Sequence, residues 1–248
     1  MRVGIVGFGG IIQEYLINVL KEVEYKEYRG NEYVIGKEKG NELVIIESES
    51  DLVKATLQTT LITMLPTPEK RYDYLIGIDV HSGEKETLEI GNNLYRKTRN
   101  EMLKYTIDEE LMNIAYQLGQ NKYREVTVAN YSEGIKDGLT GVVHVGKEFG
   151  IKTLVLTYNI VEESETNEKG LEKLVNLVLE TIEVMGALYP VFRVYTLERD
   201  QNYKRVYLEG DYAYIDDAEL MLTGKGYVYN KELKCYNKGE EKAYIILE

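Results

Sequence analysis

Tryptophan is absent, cysteine and histidine are scarce, and long apolar runs are missing. Each shortage excludes something. One cysteine, Cys235, rules out an intramolecular disulfide and any multi-cysteine metal site, and it fits a reducing compartment. Two histidines, His81 and His144, rule out a histidine-rich metal centre and confine imidazole chemistry to those positions. No stretch approaches the roughly 20 apolar residues a membrane helix needs, and Arg2 leads directly into a strand pattern, so the expected setting is the cytoplasm. Positive charge is also short. A net charge of −12 with no Lys/Arg cluster to offset it opposes a phosphate backbone, so nucleic acid is not an expected partner.

What remains is a globular composition rich in Glu, Lys, Ile and Tyr, a usage similar to that of thermophile proteins. The densest information lies between Arg124 and Glu163. Glu125 to Ala129 alternates apolar residues as a strand does, and a polar loop with Gly134 and Gly138 follows. Leu139 to Phe149 then recurs at helical spacing and stops at Gly150, and Thr153 to Thr157 (TLVLT) reads as a strand buried on both faces of a parallel sheet. Ligands of such sheets sit beyond the carboxyl ends of the strands, which points to the loops at Asn130 to Thr140 and Tyr158 to Thr166.

Taken in order, Arg2 to Gly10 (RVGIVGFGG) predicts a strand and a glycine-rich turn, and Ile11 to Val23 an amphipathic helix. Ile12 stands at the third position of G-x-G-x-x-G, which argues against a dinucleotide fold. Glu32 to Lys37 and Glu42 to Glu47 form a hairpin through Lys39-Gly40-Asn41; Asp51 to Leu65 is a helix capped by Ser50 or Asp51. Tyr74 to Val80 is a buried strand opening into His81-Ser82-Gly83, and Leu88 to Tyr95 a strand pair bent at Gly91. Thr106 caps a helix from Asp108 to Gly119, and Glu168 to Met185 is the last long helix. After Tyr189 the texture turns to short Tyr-rich segments (VFRVYTL, KRVYLEG, DYAYI, AELMLT, GYVYN, LKCYN, KAYIILE), which suggests a small antiparallel sheet. The expected organisation is an α/β domain over residues 1–189, a mixed central sheet flanked by helices, with a β-rich addition over 190–248.

As a series, these pieces resemble the nucleoside phosphorylase and nucleosidase superfamily, whose members include purine nucleoside phosphorylase and methylthioadenosine nucleosidase. MRVGIVGFGG resembles its opening strand and phosphate-side turn, and NEYVIGKEKGNELVIIESESDLVKATLQTTLIT its hairpin and following helix. YLIGIDVHSGEKETLEIGNNLY resembles the segment with a G-S-A-G-G turn, TIDEELMNIAYQLG a D-x-x-L helix, and DGLTGVVHVGKEFGIKTLVLTYNI the M-E-x-T helix and the strand leading to the catalytic acid. The resemblance covers about residues 1–185. It implies a phosphorylase-like fold, a purine nucleoside or related N-glycoside as ligand, a homo-oligomer, no cofactor and no metal, with either phosphate as a co-substrate or an activated water in its place.

The departures fall on the chemistry. The family's ribose-binding glutamate falls at Gly138 with Asp137 beside it, its Ser-Asp acid falls at Ile160-Val161, and its glycine-rich turn becomes Asp79-Val80-His81-Ser82-Gly83. Glycosidic cleavage needs an acid on the leaving base, stabilisation of an oxocarbenium-like sugar, and bound phosphate or activated water. The resemblance therefore points to Asn159, Glu162 and His81 as catalytic candidates, Glu163 being an alternative to Glu162. Gly7, Gly9, Ser82, Gly83, Asp137 and Thr140 are the candidates for substrate binding. Two rival readings stand beside this one. A catalytically inactive relative could act in binding or assembly, since the helix DEELMNIAYQLG also resembles a helix of the proteasome-assembly chaperones. GFGG could alternatively serve a nucleotide cofactor.

Overall fold

The computed structural model describes residues 1–64, 72–97, 101–123, 126–131, 137–161, 167–188, 192–197, 203–206, 222–224, 226–232, 235–239 and 241–247. The chain divides into two compact units, Arg2–Glu183 and Val184–Glu248 with Met1.

The larger unit is built on strands β1 (Arg2–Phe8), β2 (Lys21–Tyr28), β3 (Asn31–Glu38), β4 (Asn41–Ser48), β5 (Tyr74–Ser82), β6 (Thr87–Lys97), β7 (Met102–Thr106), β8 (Val126–Tyr131) and β9 (Lys152–Ile160). They form one mixed sheet in the order β2-β3-β4-β1-β5-β9-β6-β7, with β8 also on β6. The central pairs β4/β1, β1/β5 and β5/β9 are parallel, whereas β6 runs antiparallel to β9. Helices α1 (Ile12–Ile17), α2 (Leu52–Met64), α3 (Glu109–Tyr123), α4 (Asp137–Phe149) and α5 (Asn167–Leu188, of which the residues up to Glu183 belong to this unit) accompany them.

Alternation along each strand sends successive side chains to opposite faces. Val6, Phe8, Ile46, Leu75 and Val155 pack with Ala55 and Ile62 of α2 and Leu139, Val142 and Val143 of α4. Val3, Ile5, Ile76, Ile78, Leu154 and Leu156 alternate with them and are equally buried, as expected where a parallel sheet is covered on both faces. The helix ends follow local rules. Lys54 N–H donates to Asp51 Oδ1 at 3.0 Å. Gly150, at φ +67°, closes α4 with Ile151 N–H on Gly146 O at 2.7 Å and Gly150 N–H on Lys147 O at 3.3 Å.

Three local expectations are corrected. The helix expected over Ile11 to Val23 stops at Ile17, because Lys21–Tyr28 (KEVEYKEY) alternates with period two and adds to β3 as the sheet's edge strand. Leu88 to Tyr95 is part of a single long strand: Gly91 marks a register shift against β8, and a Cβ there would lie 2.3 Å from Val155 Cγ2. Thr106 belongs to β7, opposite Asn93, and the cap of α3 is Asp108, whose Oδ1 accepts from Leu111 N–H at 3.0 Å.

The smaller unit holds β10 (Phe192–Leu197), β11 (Tyr203–Val206), β12 (Val228–Asn230), β13 (Cys235–Lys238) and β14 (Glu241–Leu247). They form an antiparallel sheet in the order β11-β10-β14-β13-β12, as the Tyr-rich texture suggests. The DYAYI segment lies outside the described residues; of AELMLT, Leu222 and Thr223 are described, in a helical turn with Gly224. Among the described residues no helix is long and apolar enough to cross a membrane.

Candidate functional site

The carboxyl ends of β1, β5 and β9 share one rim. Register pairs Phe8 with Asp79, Asp79 with Thr157, His81 with Asn159 and Ser82 with Ile160. Antiparallel β6 continues the lattice, with Glu89 opposite Thr157 and Thr87 opposite Asn159. Two polar rows result, Asp79–Thr157–Glu89 and His81–Asn159–Thr87, on the face that packs against α2 and α4. Polar residues so placed demand partners, and several are found locally.

Asp79 is buried, and its Oδ2 lies 3.4 Å from His81 Nδ1, holding the half-exposed ring at the strand end. Asn159 Nδ2 donates to Thr87 Oγ1. Its Oδ1 is shut off from solvent and has no hydrogen-bond partner among the described residues. Turning the amide over would strand the nitrogen instead. In the deeper row, fully buried Thr157 shares a hydrogen bond of 2.9 Å with Tyr131 Oη, and its Oγ1 lies 3.4 Å from Glu89 Oε2. Burial pushes the Tyr131 phenol far above its ordinary value; the hydrogen bond to Thr157 opposes this and the Glu89 charge adds to it. Tyr131 is thus a neutral hydrogen-bonding group at neutral pH.

The anticipated residues are not all brought together. His81, Asn159 and Gly83 gather at the rim: Gly83 N–H donates to Ile160 O at 2.8 Å, and a Cβ at Gly83 would lie 3.1 Å from Asn159 Cβ. Asp137 and Thr140 begin α4, over the same face, and both make further interactions of their own. Between them, Gly138 faces the Phe8 ring. Gly7 and Ser82 fall, by alternation, on the other face of the sheet. Gly9, at φ +104°, turns the chain so closely past β5 that a Cβ would meet Val80 O at 2.4 Å. Glu162 and Glu163 lie outside the described residues.

The glycine-rich turn is filled from within the protein. Glu47, at the end of β4 and in register with Gly7, receives Gln13 N–H on Oε1 at 2.7 Å, the amides of Gly10 and Ile12 also act on its carboxylate, and its buried Oε2 has no hydrogen-bond partner among the described residues. Burial raises the Glu47 carboxyl above its ordinary value, and these amide hydrogen bonds pull it part of the way back.

No protein-family model and no curated protein matches this sequence. Solved structures do. A 5′-methylthioadenosine/S-adenosyl homocysteine nucleosidase from Campylobacter jejuni aligns with a TM-score of 0.61 at 17% identity, over 74% of this chain and 99% of that one. A futalosine hydrolase mutant from Helicobacter pylori gives 0.61 at 13%, over 74% and 98%. An S-adenosylhomocysteine nucleosidase from Streptococcus pyogenes, in complex with 5-methylthiotubericidin, gives 0.59 at 11%, over 75% and 97%.

The chain has the nucleosidase fold. Within that fold the departures noted in the sequence acquire physical causes. Gly138 stands at the expected glutamate position because a Cβ there would lie 2.7 Å from Phe8 Cε1. Val161, at the expected acid position, is clamped through its backbone: its N–H donates to Asn167 Oδ1 at 3.2 Å and its O accepts from Asn167 Nδ2 at 2.7 Å. Among the described residues no group of three or more His, Cys, Asp or Glu side chains is arranged to hold a metal.

Thr87, Glu89, Tyr131 and Thr157 are the members of the site that sequence reasoning missed. The signal for Thr87, Glu89 and Thr157 was the polar residue at every second position in Thr87-Leu88-Glu89 and Thr157-Tyr158-Asn159, matching Asp79-Val80-His81.

Proposed function

We propose that this chain binds a purine nucleoside or a related N-glycoside at the rim formed by His81, Asn159 and Thr87, and that it does not phosphorolyse the ligand. The observation that carries the reading is the buried Asn159 Oδ1, which has no hydrogen-bond partner among the described residues. A buried polar atom left without a partner costs about 1–3 kcal/mol, and an N–H donor on a heterocyclic base recovers it. His81 adds a second group able to donate or accept, and Asp79 fixes its ring. The fold's similarity to nucleosidases supports the substrate class. Glu47 supports the absence of phosphorolysis, because its carboxylate faces the amides of the glycine-rich turn, takes the Gln13 N–H, and would repel a phosphate there.

A second reading, slow hydrolysis, is favoured by one contact: the Asp79–His81 pair has the form of an oriented general acid or base. The homo-oligomer implied by the resemblance belongs to the same proposal. The outer face of α2, with Val53, Leu57 and Met64 well exposed, is the surface that suits a second copy.

The test is calorimetric titration with adenosine and methylthioadenosine, followed by chromatography for free base with and without phosphate. Saturable binding without base release supports the proposal, and phosphate-independent base release supports the second reading. Phosphate-dependent base release, or no binding of either nucleoside, refutes the proposal.

A further inference from the structure

At one side of the larger unit's sheet, β2 (Lys21–Tyr28, KEVEYKEY) pairs with β3 and, among the described residues, with no other strand. All its residues except the half-buried Val23 are exposed, Tyr25 by 72%. A two-residue turn, Arg29 at φ +51° and Gly30 at φ +76°, closes the β2/β3 hairpin and makes Tyr28 and Asn31 its first pair. In such a ladder, hydrogen-bonded residues alternate with residues whose N–H and C=O point away from the neighbour, and in β2 the latter are Tyr25 and Glu27. An exposed edge with outward main-chain groups is a template for another strand.

Charges of one sign on such an edge would repel a second copy, which is a common way of keeping edges apart. β2 mixes the signs instead. Glu24 and Lys26 stand two residues apart on one face, with Lys26 Nζ 2.8 Å from Glu24 Oε2. Laid antiparallel on a second copy about a two-fold axis at Tyr25, the strand sets Glu24 opposite the second copy's Lys26, Lys26 opposite its Glu24, and Tyr25 opposite its Tyr25. The neighbouring registers put Glu24 on Glu24 or Lys26 on Lys26 at the axis, and like charges directly opposed are destabilising. Lys21 and Arg29 would also be opposed in the register centred on Tyr25, but Arg29 sits in the turn with its guanidinium over its own Tyr28 ring, 5.3 Å from the centroid.

We propose that β2 is an interface with a second copy of this chain, the two edges pairing antiparallel about Tyr25. A two-fold interface requires a surface complementary to itself, and the Glu24-Tyr25-Lys26 run is one. The outward N–H and C=O of Tyr25 pair with those of the second copy's Tyr25, and the two exposed rings come together across the axis. The Glu24–Lys26 ion pair of each strand joins its counterpart in a closed ring of four alternating charges. This surface is separate from the outer face of α2 and from the rim.

The test is sedimentation of the whole chain carrying Leu57→Glu, which sets a charge on the outer face of α2 and leaves the edge as the interface under study. A dimer is expected. Glu24→Lys and Lys26→Glu should each weaken it about tenfold or more, since each sets like charges opposite one another, and the double exchange should restore it. All these positions are exposed, and circular dichroism would confirm that the variants fold. Tyr25→Cys should form a disulfide-linked dimer under mild oxidation, because the Cα atoms of a hydrogen-bonded cross-strand pair lie about 5.5 Å apart, within disulfide reach. Glu27→Cys should not, its counterpart being opposite Val23; the native Cys235 is buried. A monomer in the Leu57→Glu chain, a loss that the double exchange does not reverse, or cross-linking at position 27 as ready as at position 25 would overturn the proposal. Nucleoside titration of the same variants reads the rim separately.

Discussion

The Phe8 ring occupies the space that a side chain at position 138 would need: a Cβ on Gly138 would stand 2.7 Å from Cε1 and 3.0 Å from Cδ1. An aromatic residue at the end of β1 and a glycine at the start of α4 are therefore one structural decision. Gly138→Glu should destabilise the protein by about 1–3 kcal/mol through overpacking. Phe8→Ala alone should cost roughly 3–5 kcal/mol. In the double variant the glutamate has room, so the two costs should fall short of their sum by about 0.5–3 kcal/mol in urea denaturation. Strict additivity would show that the ring does not govern position 138.

Glu47 makes the acid side of the stability profile informative. Its folded-state pKa is raised, first by burial, so its contribution is fully present below the unfolded carboxyl value near 4.5 and is lost as pH rises through the folded value. Glu47→Gln has no charge to bury. It should raise Tm at pH 7 by on the order of 2–4 °C, with the difference shrinking towards pH 4. A constant difference from pH 4 to pH 8 would mean that the carboxylate is not held against its preference.

Alkali should act through buried phenols. Burial, the leading cause in both, raises Tyr72 and Tyr131 far above the ordinary tyrosine value of 10.0. Their stabilising contribution is present below about pH 10 and is lost as pH climbs beyond it, because the unfolded chain ionises first. Melting curves between pH 8 and 11 should show Tm falling above about pH 10, and Tyr131→Phe should soften that limb. An identical limb in the variant would place the titration elsewhere.

Much of this architecture is legible in the sequence because long, periodic elements announce themselves. Leu139 to Gly150 carries both its helical spacing and its stop, and Thr153 to Thr157 reads as a central strand. The site was less visible for three reasons. Glu89 and Thr87 join the rim only because β6 is one long strand crossing beside β9, whereas Gly91 suggested a reversal. Glu47 looks like the solvated end of a hairpin until the β1/β4 register sets it beside Gly7. Phe8 looks like a spacer between glycines, and only the approach of α4 shows what its ring fills. These are long-range pairings, which local pattern does not encode.

The most direct test of the ligand site is a crystal structure of the protein grown with adenosine. The account predicts the base bound at the rim, with an N–H within hydrogen-bond distance of Asn159 Oδ1 and the His81 ring beside it. A nucleoside seated away from Asn159, with that oxygen still unpartnered, would contradict it.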